Sequence, residues 1–148
     1  LMDLGVKAAS IGPALNLIIA QRLVRKLCEH CKVPETIAPE LASKIKHFLN
    51  SLPKRVDKKD YGTTQLFKPK GCAKCADLGY KGRIAVFELL EVEDEMEALI
   101  TPAVGESAIT KQADKQGMVK MQEDGVLKVI SGITTFDEVE GVTGPLKW

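Results

Sequence analysis

Four cysteines form two Cys-x-x-Cys pairs, Cys28 with Cys31 and Cys72 with Cys75. A two-residue gap lets both sulfurs of one turn face a single ion, and Zn²⁺ favours a tetrahedral shell of four thiolates. The two pairs together complete such a shell and leave no open position for a substrate. The spacing therefore predicts a structural zinc site that clamps the ends of an intervening subdomain of about 40 residues.

Two other uses of the cysteines stay open on the sequence alone. One pair could act as a redox dithiol, although neither pair follows a strand and opens a helix as a thioredoxin motif does. A disulfide framework is the second alternative, but the composition is that of an ordinary cytosolic protein rather than a cysteine-dense secreted one. His30 could replace a cysteine as ligand, yet the middle residues of such a turn face outward. We therefore expect His30 to be solvated.

Composition and charge indicate a globular chain with an uneven charge distribution. The 148 residues are 45% hydrophobic and 28% charged, which is enough to bury one sizeable core or two small ones. The net charge of +1 conceals 16 Lys and Arg against 7 Asp and Glu in residues 1–83, and 5 against 13 in residues 84–148. The basic part could attract phosphates, anionic lipid headgroups or an acidic protein surface, or simply be solvated. The longest uncharged run, 8–20, is too short to cross a bilayer.

The sequence predicts short strands and helices around the cysteine pairs, followed by helices alone. Strand patterns occur in the second half of 17–27, over 64–69 and over 83–92, with Gly79 and Gly82 marking a turn before the last of them. Helical patterns occur over 7–16, 39–49, 94–100, 105–116, 120–131 and 135–142, and 51–60 reads as an exposed loop. Thr135 followed by Glu138 predicts a capping box. The fold class is therefore predicted to be α+β, a small zinc-stapled subdomain with short strands plus a C-terminal helical lobe.

The residues around both cysteine pairs and in the closing helices resemble a known family. The stretches that carry the resemblance are 20–31, 71–75, 79–83, 87–90, 117–118, 124–125 and 132–139. They are similar to the C-terminal region of the type II secretion and type IV pilus assembly ATPases, and the resemblance covers nearly the whole chain. All four cysteines of the family's tetracysteine subdomain are present.

The resemblance implies a fragment of a larger motor protein. Members of that family are hexameric motors whose RecA-like domain hydrolyses ATP and drives a pilin platform in the inner membrane. By this resemblance, residues 1–27 end the RecA-like ATPase domain, 28–92 form the tetracysteine zinc-binding subdomain and 93–148 form a C-terminal helical lobe. ATP and Mg²⁺ would be bound only in the full-length parent. The implied partners are the other subunits of a homohexamer and inner-membrane platform proteins, and the implied location is cytoplasmic, peripheral to the inner membrane.

The fragment itself is predicted to have no catalytic or nucleotide-binding residues. The sequence contains no G-x-x-x-x-G-K-[ST] loop, and neither His30 nor His47 has a nucleophile or carboxylate at a motif spacing. Arg22 and Arg25 could reach a phosphate or a neighbouring subunit, or form ordinary ion pairs. The alternative function is a nucleic-acid-binding Cys₄ zinc module, motivated by the basic residues 1–83. No helix beside the cysteines carries a cluster of Arg, Asn and Gln, so no specific nucleic acid is expected.

Overall fold

The computed structural model describes residues 5–61, 65–101 and 103–148, and within these ranges the chain is α+β, as predicted. The helices are α1 (Ala8–Ile11), α2 (Pro39–Ser51), α3 (Asp94–Glu97), α4 (Glu106–Lys115), α5 (Met121–Ile130) and α6 (Phe136–Thr143). The strands are β1 (Leu17–Leu27), β2 (Val33–Glu35), β3 (Leu66–Lys68) and β4 (Tyr80–Glu91). Short 3₁₀ turns lie at Gly12–Ala14, Lys58–Tyr61 and Ala73–Cys75.

Two small sheets bring the cysteine pairs together. β1 ends just before the first pair and hydrogen-bonds to β4, which begins just after the second pair. β2 begins just after the first pair and runs antiparallel to β3, which ends just before the second, with Pro34 opposite Phe67 at the centre of the register. Because each sheet joins a strand flanking one pair to a strand flanking the other, the strand pairing holds the two pairs side by side.

The chain divides into two compact units. The α3–α4 unit comprises Leu1–Ala20 and Glu88–Met118, and the cysteine unit comprises Gln21–Phe87 and Val119–Trp148. The helices after residue 93 are therefore divided between the two units, since α3 and α4 belong to the α3–α4 unit and α5 and α6 to the cysteine unit. The division into 1–27, 28–92 and 93–148 stays a prediction.

The core of the cysteine unit lies between α2, β3, α5 and α6. Its buried side chains are Ile45, Phe48, Leu52, Leu66, Val126, Leu127, Val129, Ile130 and Val139. α2 contributes Ile45 and Phe48 at the helical spacing that the sequence predicted. α5 and α6 approach each other closely at Gly125, where a Cβ would lie 2.6 Å from Cγ1 of Val139. The absence of a side chain at position 125 permits this packing.

The α3–α4 unit has a small core and polar contacts at its surface. Ile11, Met96 and Ala113 are buried. Glu95 accepts hydrogen bonds from Gln112 Nε2 at 2.8 Å and from Lys115 Nζ at 3.2 Å, which join α3 to α4. No helix in the described ranges is both long and apolar enough to cross a bilayer.

Several element boundaries differ from the sequence predictions. The first helix stops at Ile11 and continues as a 3₁₀ turn containing Pro13, which has no amide hydrogen to donate to an α-helical bond. β1 spans all of 17–27 rather than only its second half, and β4 begins before Gly82 instead of after it. The predicted strand over 64–69 is observed as Leu66–Lys68, and Thr64 lies outside the described residues.

The predicted capping box at the start of α6 is wrong. Thr135 is the N-cap residue but makes no side-chain cap hydrogen bond, and its Oγ1 lies 3.0 Å from Oη of Tyr80. Glu138 accepts hydrogen bonds from the backbone and side chain of Arg25. Both side chains have their partners on strands, Tyr80 on β4 and Arg25 on β1, and these tertiary contacts replace the local cap.

Candidate metal centre

The first knuckle, residues 28–31, directly follows β1. The amide nitrogen of Cys31 donates to the carbonyl oxygen of Cys28 at 3.1 Å, and the amide of Lys32 donates to the same oxygen at 2.9 Å. These bonds close a tight turn with both sulfurs on its inner side. The amide of Cys28 in turn donates to the carbonyl of Gly79 at 2.9 Å, so a backbone hydrogen bond connects this knuckle to the residue just before β4.

The second knuckle, residues 72–79, is a 3₁₀ turn followed by two left-handed residues. The amide of Cys75 donates to the carbonyl of Cys72 at 3.0 Å, and the amide of Asp77 donates to the same oxygen at 3.0 Å. Ala76 and Asp77 have φ values of 49° and 59°, which reverse the chain after the last cysteine. This conformation is unfavourable for residues with a Cβ, so the surrounding hydrogen bonds must maintain it.

The four sulfurs converge at distances that fit a tetrahedral metal site. All four Sγ atoms lie within 4.8 Å of one another. Cys28 and Cys72 are 4.0 Å apart, Cys31 and Cys75 are 3.8 Å apart, and Cys72 and Cys75 are 3.7 Å apart. Four sulfurs bound to Zn²⁺ at about 2.3 Å lie about 3.8 Å from one another, so these separations match the edges of such a tetrahedron. No disulfide joins any of the four cysteines, and three of them are buried.

Backbone amides make the environment of Cys75 favourable to a thiolate. The amide nitrogens of Cys72 and Gly79 each lie 3.3 Å from Cys75 Sγ. Burial opposes ionisation, but these amide donors and the neighbouring thiols of Cys31 and Cys72 outweigh it and lower the pKa of Cys75 to about 7. Burial is also the main reason why the pKa of Cys31 rises to about 12, despite a hydrogen bond from the Gly71 backbone. A cation among the sulfurs would supply the counter-charge that buried thiolates require.

The sequence signature of the type II/IV secretion system proteins matches residues 1–141, which include both knuckles. The chain belongs to the type II/IV secretion system protein family. The type IV pilus assembly ATPase PilB of Thermus thermophilus is 37% identical over 137 residues, which cover 93% of this chain and 14% of that protein.

Further relatives within the type II/IV secretion family come from both kinds of system. PilB of Pseudomonas aeruginosa is 35% identical over 97% of this chain and 24% of its own length. The type II secretion system ATPase E of Vibrio cholerae is 36% identical over 97% of this chain and 26% of its own length. The chain therefore spans about a quarter or less of these relatives.

In this member of the type II/IV secretion family, the other residues singled out in the sequence, His30, Arg22 and Arg25, lie outside the sulfur cluster. His30 is exposed, as predicted, and its Nδ1 lies 3.5 Å from Nζ of Lys74. The guanidinium of Arg25 contacts Glu138 at 2.5 Å and lies 4.3 Å from the ring centroid of Tyr80. Arg25 thus forms an ion pair within the cysteine unit, while Arg22 Nη1 donates to the carbonyl of Gln21 at 2.9 Å.

Sequence analysis identified Gly79 only as part of a turn and assigned Gly71 no structural role. Gly71 and Gly79 have φ values of +98° and +74°. A Cβ on Gly71 would lie 2.7 Å from the carbonyl oxygen of Asp77, and one on Gly79 would lie 2.4 Å from Cβ of Pro69. Both positions exclude larger residues because the backbone segments before and after the knuckle touch there. The spacing Cys-x₂-Cys-x₃-Gly in the sequence is the signal that could have linked Gly79 to the cysteine turn.

Proposed function

We propose that this chain is the zinc-binding C-terminal module of a hexameric ATPase that powers type II protein secretion or type IV pilus assembly. The observation that carries the proposal is the convergence of four cysteine sulfurs at the edge lengths of a tetrahedral site in a chain of the type II/IV secretion family. ATP and Mg²⁺ binding, the hexamer and the platform contacts belong to the longer parent protein in this proposal, and the isolated chain does not hydrolyse ATP.

The ligands of the proposed zinc ion are Cys28, Cys31, Cys72 and Cys75. When bound, the ion supplies a closed structural crosslink rather than a reactive site. The residues of the chain support such a crosslink, because two amide hydrogen bonds to Cys75 Sγ stabilise negative charge on that sulfur. The buried setting of three of the cysteines protects their thiolates from competing ligands.

Contacts around the end of β1 suggest how movement of a motor domain would reach the metal centre. The amide of Leu27 donates to the carbonyl of Ile133 at 2.8 Å. The hydroxyl of Thr134, which is fully buried, donates to the carbonyl of Arg25 at 2.8 Å. Lys32 Nζ donates to the carbonyl of Gly132 at 3.0 Å. The loop after α5 therefore contacts β1 just before the first knuckle and the Lys32 side chain just after that knuckle. A displacement of β1 would be transmitted to the loop and to the knuckle.

The beginning of β1 offers a surface for the upstream motor domain. Leu17, Ile18 and Ile19 are successive strand residues, and all three are exposed although side chains alternate between the two faces of a strand. Exposed apolar residues in such a run favour an interface with another part of the protein. In the proposed function, this segment packs against the ATPase domain of the parent and the cysteine unit projects toward the platform at the inner membrane.

Elemental analysis of the purified, reduced chain tests the zinc assignment. We expect one zinc ion per chain and a large fall in the melting temperature after treatment with a strong chelator. C75S removes one ligand and should lose the metal, whereas A73S introduces the same hydroxyl on the exposed face of the same turn and should retain it. A folded wild-type chain without metal, or one that holds iron instead, would contradict the proposed zinc site.

The role in the motor needs a test in the parent ATPase of the source organism. C75S introduced there should reduce secretion or pilus assembly, while A73S should leave it intact. ATP hydrolysis and hexamer formation by the purified parent provide the second readout. If C75S abolished metal binding without any effect on secretion or piliation, the zinc module would not serve the motor.

A further inference from the structure

Lys32 is the residue directly after the first knuckle, and most of its side chain is covered. The side chain is 19% exposed, and lysines are almost never removed from water without partners. Its Nζ lies 2.8 Å from Glu29 Oε2, donates to the carbonyl oxygen of Gly132 at 3.0 Å and lies 4.8 Å from the ring centroid of Phe67. Lys32 is therefore held by residues on three separate segments of the cysteine unit.

Two of these three contacts hold Lys32 to other parts of the fold. The pair with Glu29 stays within the first knuckle, and the Glu29 side chain is 62% exposed. An ion pair in contact with water is screened and contributes little to stability. The contacts with Gly132 and Phe67 join residues far apart in sequence, so these two contacts decide where the Lys32 side chain lies.

The carbonyl of Gly132 is held in place by the end of α5. The amide of Gly132 donates to the carbonyl of Val129 at 2.9 Å, and the amide of Ile133 donates to that of Lys128 at 3.0 Å. With φ +69° at Gly132, these bonds form the Schellman motif that commonly ends a helix. The carboxyl end of a helix carries partial negative charge, so this fixed carbonyl attracts the Lys32 ammonium.

The ring of Phe67, on β3, completes a three-residue contact. A Cβ on Gly132 would lie 2.8 Å from two carbons of this ring, so the ring packs directly against the glycine. The Lys32 ammonium lies over the same ring at a distance that permits a cation–π interaction. Lys32, Phe67 and Gly132 thus contact one another, and we call this set the Lys32 tether.

The Lys32 tether acts on the residue that closes the first knuckle. The amide of Lys32 donates to the carbonyl of Cys28 at 2.9 Å, beside the bond from the amide of Cys31 to the same oxygen. Zinc can leave only if cysteine sulfurs move away from it, and for this pair the turn between Cys28 and Lys32 has to open. An anchored Lys32 side chain opposes that opening.

We propose that Lys32 is a positioning residue of the metal centre, which holds the first knuckle closed and slows the release of zinc. The inference rests on the zinc site of the proposed function. It adds that retention of the ion depends on a contact 100 residues away in sequence, at the end of α5. A shift of that helix end would therefore loosen the hold of the knuckle on the ion.

Zinc transfer from the metal-loaded 148-residue chain to an excess of the coloured chelator pyridylazoresorcinol tests the proposal. K32M keeps the apolar stem of the side chain and removes its ammonium group. We expect the rate of zinc release at neutral pH to rise about tenfold, because loss of a residue that orients metal ligands commonly weakens metal binding by that factor or more. K32R keeps a cation that can donate to the carbonyl and lie over the ring, so it should release zinc at nearly the wild-type rate. An unchanged rate in K32M, or a K32R rate as high as that of K32M, would overturn the proposal.

Two control variants separate this role from general effects of charge and stability. K68M removes an exposed lysine from β3, at the position opposite Val33, and should not change the release rate. Q122A removes a side chain that binds carbonyls of the C-terminal segment, so it weakens the same unit outside the Lys32 tether. If zinc left only from unfolded chains, K32M and Q122A would both accelerate release in step with their loss in melting temperature. That result, or an equal acceleration by K68M, would overturn the role of Lys32.

A double variant tests the Lys32 tether itself. F67L removes the aromatic ring and should also speed zinc release. Because Lys32 and Phe67 belong to one contact, the acceleration in K32M/F67L should be smaller than the product of the two single accelerations. A combined acceleration equal to that product would show that Lys32 acts without the ring, and would contradict the tether.

Failure of the Lys32 proposal can be distinguished from failure of the proposed function. Zinc content is measured on every variant before the transfer experiment. A wild-type chain that holds no zinc contradicts the proposed function and, with it, the role of Lys32. A zinc-loaded wild-type chain whose K32M variant releases the ion no faster leaves the zinc module intact and removes only the role of Lys32.

Discussion

Arg25 on β1 and Glu138 on α6 are joined by two hydrogen bonds. The backbone amide of Arg25 donates to Glu138 Oε2 at 3.0 Å, and its guanidinium donates to Oε1 at 2.5 Å. The same guanidinium lies over the ring of Tyr80 on β4. One carboxylate therefore connects α6 to the strand that leads into the first knuckle, and the contact joins segments far apart in sequence.

Removal of the Glu138 carboxylate should make stability less dependent on pH. The hydrogen bond from Arg25 is the main cause that holds the pKa of Glu138 below its ordinary value, although burial opposes it. A depressed pKa means that the stabilisation is present above the carboxyl's unfolded pKa and is lost as pH falls through the folded value. We expect E138Q to lower the free energy of unfolding by about 1 kcal/mol at neutral pH. The difference from wild type should shrink below about pH 4.

Urea unfolding at several pH values measures this effect, and D137N is the matched control. Asp137 is exposed in the same first turn of α6, so it experiences the same helix dipole without the contact to Arg25. D137N should follow the wild-type pH profile closely. An E138Q profile parallel to wild type across the whole range would show that the carboxylate does not contribute through its charge.

The close approach of α5 and α6 should make position 125 sensitive to a single methyl group. A Cβ at Gly125 would lie 2.6 Å from Cγ1 and 3.0 Å from Cγ2 of Val139, which is fully buried. G125A should therefore destabilise the chain by about 1–3 kcal/mol, although alanine favours helices. In the G125A/V139A double variant the added methyl occupies space vacated by Val139, so the two losses should be less than additive. Strict additivity in thermal or denaturant unfolding would contradict the packing.

Opposite substitutions in the second knuckle should have opposite effects. Ala76 has φ +49°, a conformation that glycine adopts without strain, so A76G should stabilise the metal-loaded chain by about 1 kcal/mol. Gly79 has φ +74° and no room for a Cβ beside Pro69, so G79A should destabilise it by about 2 kcal/mol or more. Chelator-induced unfolding compares the two variants with wild type. Destabilisation by A76G would show that Ala76 does not adopt the left-handed conformation.

The side chain of Gln122 should hold the C-terminal segment in place. Its Nε2 donates to the carbonyls of Gly144 and Pro145, and its Oε1 accepts a hydrogen bond from the amide of Lys147. Trp148, the single tryptophan of the chain, packs against Phe136 with ring centroids 5.4 Å apart. Q122A should cost about 1–3 kcal/mol of stability.

Tryptophan fluorescence measures the release of this segment. In Q122A, we expect the emission of Trp148 to shift to longer wavelength because its ring becomes more exposed to water. Q112A is a suitable control, since Gln112 contacts Glu95 within the α3–α4 unit. An unchanged emission spectrum in Q122A would mean that other contacts are sufficient to hold the C-terminal segment.

The two cysteine turns and much of the local structure could be predicted because both depend on near neighbours in the sequence. A Cys-x₂-Cys spacing presents both sulfurs of a turn to one ion, and the apolar spacing of α2 identified its buried face. The zinc ion, the domain boundaries and the role in a motor remain predictions. The packing role of Gly71 and Gly79 was not predicted, because it comes from contact with Asp77 and Pro69, which only the folded backbone brings close.

The sequence by itself determined the family, the α+β class and the two cysteine knuckles, since these follow from residue types at short separations. Only the tertiary structure decided which distant segments share a core. It joined α5 and α6 to α2 in the cysteine unit. It also assigned Glu138 to Arg25 rather than to a local cap. Local sequence patterns indicate which face of a helix or strand is apolar and which side chain can accept a hydrogen bond. The choice of partner depends on packing and geometry across the whole fold.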